Sequence, residues 1–238
     1  MNQEEFAQRL KDQPFSVLSD LVFEYIQDAI VEAKYAPGSK INTKRISEEL
    51  GVSRTPVRTA LEQLEKEKLV ESVGEKGFKA AAVDWKDCLS LYEIREMVEG
   101  NAAYIAANTI TDQQLEQLKQ VLIRHRKANE AGDYRVTFES DIRFHELIVL
   151  STGNAYLIDM FRALKVWIRR YHYALVSAQK FDMSNDLRIL EKQTVIYRAI
   201  KNRYSLVAKN EMVDHLHKIY RILFEDELVS YPTFANGV

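Results

Sequence analysis

The chain has a single cysteine, Cys88, among its 238 residues. That excludes an internal disulfide, and without a Cys-x-x-Cys pair it also excludes a thiolate zinc site or a redox motif. A buried apolar side chain is the expected role for Cys88. Glycine, with eight residues, and proline, with four, are scarce, which argues for helix because sheet-rich chains need more turn residues. No apolar run approaches the length that spans a bilayer. The opening MNQEEFAQRL has neither the basic region nor the apolar stretch of a secretory signal. A cytoplasmic protein with no membrane partner is the expectation. Net charge is only −2, so the chain as a whole offers little attraction to a polyanion.

What is present is the composition of an ordinary globular protein, 46% hydrophobic and 29% charged, long enough for two domains. Charge is concentrated locally. Between Lys34 and Arg58 the cations Lys34, Lys40, Lys44, Arg45, Arg54 and Arg58 face only Glu48 and Glu49, a local +4.

Residues 16 to 33 place Val17, Leu21, Tyr25, Ala29 and Ile30 at helical spacing. Pro37-Gly38 breaks the chain, and Asn42 or Thr43 can cap a second helix with Ile46 and Leu50 inward, stopped by Gly51. Ser53 offers a hydroxyl to cap a third helix carrying Val57, Ala60, Leu61 and Leu64 on one face. Two short helices joined by Gly51-Val52 form a helix-turn-helix. The segment after Leu69 reads as a small β-hairpin with Gly74-Glu75-Lys76-Gly77 at its tip.

From Trp85 onward the pattern is helical. Thr111 and Gln114 form a capping box, Gly132-Asp133 and Gly153-Asn154 are breaks, and Met183-Ser184-Asn185 and Asn202 to Ser205 are weaker ones. About six helices result, enough for a bundle. The expected fold is mainly α, with a helix-turn-helix and hairpin over 1–84 and an all-α bundle over 85–238. Ser230 to Val238 reads as a loose tail.

The stretch ISEELGVSRTPVRTALEQLEKEKLV carries the strongest pattern. A helix that reads DNA needs cationic and polar side chains on its first turn and apolar ones behind. Ser53, Arg54, Thr55 and Arg58 supply the first, Val57 and Leu61 the second. The planar fork of arginine can grip guanine or phosphate at two points. The bland alternative is that Arg54 and Arg58 are solvated surface charges.

The string from Gly51 to Arg58, Gly-Val-Ser-Arg-Thr-Pro-Val-Arg, with Ala60-Leu61, Leu64, Leu69-Val70, Pro37-Gly38 and Gly77, closely resembles the signature of the GntR family of bacterial regulators. The resemblance covers roughly residues 16 to 83. It implies a winged helix whose second and third helices dock on double-stranded DNA while the wing tip touches the minor groove or backbone. The DNA-facing set is then Lys40, Lys44, Arg45, Ser53, Arg54, Thr55, Arg58, Lys76 and Gly77. It further implies a homodimer on a palindromic operator, since two copies of one helix must meet two half-sites.

LYEIREMVEGNAAYIAA, Asp141-x-x-Phe144-His145, Ser151-x-Gly153-Asn154 and Met212-x-x-His215-Leu216 resemble the FadR-like branch with an FCD-type C-terminal domain. Asp141 and His145, at i and i+4, lie one above the other and can ligate one cation. The alternative is a surface pair or a hydrogen-bonded core histidine. The resemblance implies a metal site, for zinc or nickel, completed by His215 and by a second histidine whose position is held here by Gln193. A neutral amide oxygen is a poor ligand for either metal. Two readings stand: a weakened metal site, or a pocket that binds its small-molecule effector through hydrogen bonds to Gln193. His172 is a substitute ligand or a solvent-facing residue.

Arg95 either faces the pocket, where it would pair with an organic-acid effector, or bridges to Glu99 one turn on. Asn154 either contacts the effector or caps a helix. A rival function is a metal-dependent enzyme using Asp141, His145 and His215, against which stands the lack of an evident general base beside these ligands.

Overall fold

The computed structural model describes residues 1–12, 18–74, 77–177 and 186–224. Among them the chain forms ten helices and one three-stranded antiparallel sheet, in two compact units. The first unit is Met1–Asp84 with Val166–Gln179, the second Trp85–Lys165 with Lys180–Val238.

The first unit opens with α1 (Gln3–Asp12), a helix that the apolar spacing does not announce because it buries one residue, Phe6. It starts on a reciprocal pair in which the Glu5 amide donates to Asn2 Oδ1 and the Asn2 amide to Glu5 Oε2. Phe6 meets the edge of Tyr25 on α2 (Leu18–Val31). Next come β1 (Lys40–Ile41), α3 (Thr43–Leu50), α4 (Arg54–Lys66), β2 (Val70–Ser72) and β3 (Phe78–Ala80). The sheet order is β1-β3-β2, with Ile41 opposite Phe78 and Val70 opposite Ala80. Val22, Ile26, Ile41, Ile46, Val57, Leu61, Leu64 and Leu69 form the core beneath.

Asn42 caps α3, accepting from the Arg45 amide at 3.1 Å. Gly51 ends the helix in the left-handed region, φ +65°, where a Cβ would be strained. Ser53 occupies the N-cap position of α4 with the extended backbone of a cap, yet its hydroxyl makes no cap hydrogen bond. The expected hydroxyl cap is therefore corrected: backbone geometry and the Val57 to Leu64 core start this helix. The hairpin closes through the Val73 amide on the Gly77 carbonyl, with Gly74 and Gly77 both at positive φ. Lys76 lies outside the described residues.

The later half of α8 (Ala155–Ser177) belongs to this same unit. Val166 and Trp167 pack on its core, Arg170 donates to the Ala81 carbonyl at 2.5 Å and the Tyr171 hydroxyl to the Asp84 carbonyl at 2.9 Å.

The second unit is a helical bundle of α5 (Trp85–Thr109), α6 (Asp112–Glu130), α7 (Tyr134–Leu150), the start of α8, α9 (Asp186–Lys201) and α10 (Ser205–Phe224). Thr111 and Gln114 form the expected capping box. Glycines 132 and 153, at positive φ, make the breaks on either side of α7, and Arg203, φ +63°, makes the α9–α10 turn. Helix α10 approaches α5 closely: a Cβ on Gly100 would lie 2.9 Å from Val213 Cγ2. Cys88 is buried as expected. The break at Met183 to Asn185 and the tail from Ser230 lie outside the described residues.

Candidate functional site

The cationic surface is built by α3 and α4. Val57, Ala60, Leu61 and Leu64 turn α4 toward the core, while Arg54, Thr55 and Arg58 on its first turns are exposed, with Ser53 exposed just before the helix. Lys44 and Arg45 are exposed on α3, Lys40 on β1, and Gly77 follows the wing tip. Two cations are held by carboxylates on their own helix, Lys44 by Glu48 at 3.6 Å and Arg58 by Glu62 at 2.9 Å. Exposed i,i+4 pairs of this kind are worth about 0.3–0.5 kcal/mol, too little to withhold either cation from a phosphate.

The second set of predicted residues converges inside the bundle. Helix α7 supplies Asp141 and His145, α10 His215, α9 Gln193 and α5 Arg95. His145 Nε2 lies 3.2 Å from His215 Nε2 and 3.8 Å from Asp141 Oδ1, and ligand atoms of the three residues all fall within 4.8 Å of one another. Both histidines are 1% exposed.

Two partners not anticipated from the sequence complete the cluster. Glu99 Oε2 contacts His145 Nδ1. A carboxylate only accepts, so this contact favours a proton on Nδ1, with Nε2 on the side of His215 and Asp141. His125, on α6, places Nδ1 3.1 Å from Gln193 Oε1, while Gln193 Nε2 donates to Asp141 Oδ1 at 2.7 Å. The signal for His125 was its place on the buried stripe Leu118, Leu122, His125 of α6.

Arg95 pairs with Glu99 at 2.7 Å and lies over the Tyr92 ring, both charges fully buried. Of the two readings of Arg95, the structure shows the i,i+4 bridge, in a buried setting where a surface value does not apply. Burial alone would push the Glu99 carboxyl up; Arg95 and His145 outweigh it and hold the group at about 2. His215 is driven well below the ordinary histidine value by burial first, then by His145 and Arg95, and stays neutral with its lone pair available. Asn154 caps α8, accepting from the Tyr156 and Leu157 amides. His172 belongs to the other unit and is not part of the cluster.

The donor set fits a divalent cation. Tetrahedral zinc with bonds of about 2.0–2.1 Å sets its ligands roughly 3.3 Å apart, against 3.2 Å between the histidine nitrogens and 3.8 Å from His145 to Asp141. A ligating histidine whose other nitrogen is held by a carboxylate is the usual support for such a site. Arg95 and Glu99 carry opposite charges, and Asp141 adds a carboxylate for the cation.

Residues 18–79 match the description "Bacterial regulatory proteins, gntR family", and residues 90–218 match the FCD domain. The chain belongs to the GntR family. It is 30% identical over 230 residues to the Uxu operon regulator of Haemophilus influenzae, across 89% of this chain and 84% of that one. It is 27% identical over 207 residues to the HTH-type transcriptional repressor RspR of Escherichia coli, across 87% of this chain and 89% of the relative. Its fold is that of E. coli McbR/YncC, with TM-score 0.77 at 22% identity over 89% of this chain and 99% of that one. A putative GntR regulator from Rhodococcus aligns with TM-score 0.71 at 21% identity, over 90% and 99% of the two chains. This GntR chain is thus a DNA-binding transcription regulator with a winged helix-turn-helix and an FCD domain, and not an enzyme. No helix among its described residues is long and apolar enough to cross a membrane.

Proposed function

We propose that the protein is a cytoplasmic, ligand-responsive repressor that binds a palindromic operator as a homodimer. In this reading residues 1–84 read DNA, through Lys40, Lys44, Arg45, Ser53, Arg54, Thr55, Arg58, Lys76 and Gly77, and residues 85–238 sense the ligand. The observation that carries it is the exposure of Arg54 and Arg58 together on the first turns of α4, backed by the buried Val57 and Leu61. The uncapped start of α4 adds N–H groups suited to a phosphate. Repression is the direction suggested by likeness to RspR. Ile94, Met97 and Tyr104 form an exposed apolar stripe on α5 that suits a second copy of the chain.

The sensing site is the cluster of Asp141, His145 and His215, which would hold a zinc or nickel ion. Such an ion supplies a positive centre for the carboxylate of an organic acid, with Glu99 fixing His145 and Arg95 fixing Glu99. Arg95 therefore acts behind the ligands in this reading, and Asn154 serves as the α8 cap.

Selection of operator DNA from a random double-stranded pool tests the reading. The wild type should enrich a palindrome whose affinity falls steeply with salt. The double variant Arg54→Ala/Arg58→Ala should lose it, since each two-point arginine contact carries about 1–3 kcal/mol. Enrichment of the same palindrome by the double variant, or salt-independent binding, would overturn it.

A further inference from the structure

Gln193 lies against the proposed metal ligands with both ends of its amide already engaged. Nε2 donates to Asp141 Oδ1 at 2.7 Å and Oε1 faces His125 Nδ1 at 3.1 Å. The chemistry dictates this orientation. An ionised carboxylate accepts only, so the amide edge toward Asp141 must be the NH2, and Oε1 is left to accept from His125 Nδ1–H. Gln193 and His125 are both 0% exposed, whereas the Asp141 side chain is 18% exposed.

Asp141 is thus the least enclosed of the three ligands and has the most rotamer freedom to lose on binding a cation. The bond from Gln193 falls on Oδ1, the same oxygen that lies 3.8 Å from His145 Nε2. The amide takes one acceptor position of that oxygen and leaves a second for a cation. For Gln193 to ligate through Oε1, its amide would have to turn over. That would break both bonds and leave the buried His125 N–H without this acceptor.

We infer that Gln193 is a positioning residue for Asp141, itself oriented by His125, and that the cation has three protein ligands with its other coordination positions open to water or effector. The inference rests on the reading that Asp141, His145 and His215 hold a divalent metal.

Cobalt(II), added to chelator-treated full-length protein, is the probe. Calorimetry reads affinity, the visible spectrum reads the ligand field, and proton NMR counts the exchangeable, paramagnetically shifted ring N–H signals of bound histidines. The wild type should show two such signals. Gln193→Ala and His125→Leu should keep both signals and the same visible bands while binding cobalt about 10-fold or more weakly, the range for residues that orient a ligand. His125→Asn, whose amide can donate to Gln193 in place of the ring, should restore affinity to within a few-fold.

Wild-type affinity in Gln193→Ala or His125→Leu, or failure of His125→Asn to rescue, overturns the positioning role. Altered visible bands in Gln193→Ala would make Gln193 a ligand and also overturn it. No saturable cobalt binding by the wild type would instead overturn the metal reading itself, and this inference with it.

Discussion

His145 and His215 turn their Nε2 atoms toward each other at 3.2 Å, with the rings stacked at an interplanar angle of 15°. Two nitrogen lone pairs at that separation repel unless one ring donates or a cation sits between them. Glu99 Oε2 contacts His145 Nδ1 on the far side of the ring, and Asp141 supplies a carboxylate beside the pair. Chelator-treated protein should therefore take up one zinc or nickel per chain. His145→Ala should weaken that binding by about 100-fold or more, beyond the 10–100-fold typical of an outer partner. Calorimetry checks this, and unchanged stoichiometry and affinity in the variant would contradict it.

Glu99 makes the bundle acid-sensitive. Its folded-state value of about 2 lies below the ordinary 4.5 because Arg95 and His145 outweigh the upward push of burial. A carboxyl depressed in this way contributes its full stability above 4.5 and loses it as pH falls toward 2. Removing one partner from a buried ion pair typically costs about 3–5 kcal/mol. Glu99→Gln should therefore destabilise the metal-free protein at pH 7 by about that amount, and should flatten the stability loss between pH 4.5 and 2. Urea unfolding at pH 7 and pH 3 measures both, and parallel wild-type and variant pH profiles would contradict the assignment.

Asn42 and Ser53 precede consecutive helices, and only Asn42 makes a side-chain cap bond. Asn42→Ala should cost about 1 kcal/mol, read as a lowered Tm, whereas Ser53→Ala should change stability by a few tenths at most. Ser53→Ala should still weaken operator binding, because its exposed hydroxyl stands at the end of α4 that we propose meets DNA.

Gly100 should tolerate no side chain while Val213 is present. Alanine in mid-helix ordinarily gains about 1 kcal/mol over glycine, but here its Cβ would press on Val213 Cγ2 at 2.9 Å. Overpacking of this kind costs about 1–3 kcal/mol. Gly100→Ala should lower Tm, and adding Val213→Ala should recover part of the loss; a higher Tm in the single variant would contradict the close α5–α10 approach.

The winged helix was legible because its signals are local. Apolar spacing at Val57, Leu61 and Leu64 and the glycine stop at Gly51 each lie within a few residues of the structure they set, as does the Thr111 capping box in the bundle. Helix α1 escaped because Phe6 alone carries no periodicity. The Ser53 cap was misjudged because residue type decides who can cap, while the hydroxyl rotamer decides who does. In the bundle, Asp141 and His145 were readable at i,i+4, and so was the Arg95 to Glu99 pair. Its burial, and the contact of Glu99 with His145, come from packing across helices. His125 gave least warning, since a histidine on an apolar stripe is one residue and its partner Gln193 lies 68 positions away. That pairing changes the question raised by an amide at a ligand position: Gln193 addresses Asp141.

The proposed function couples a DNA-reading surface to a metal-sensing cluster, and such coupling must be reciprocal. The direct measurement is operator affinity by fluorescence anisotropy at fixed salt, with chelated protein and with zinc- or nickel-loaded protein, for the wild type and for His145→Ala. The account predicts that loading changes the wild-type Kd about 5-fold or more, a coupling of 1 kcal/mol or above, and leaves the variant unchanged. Identical wild-type affinities with and without metal, or the same shift in His145→Ala, would contradict it.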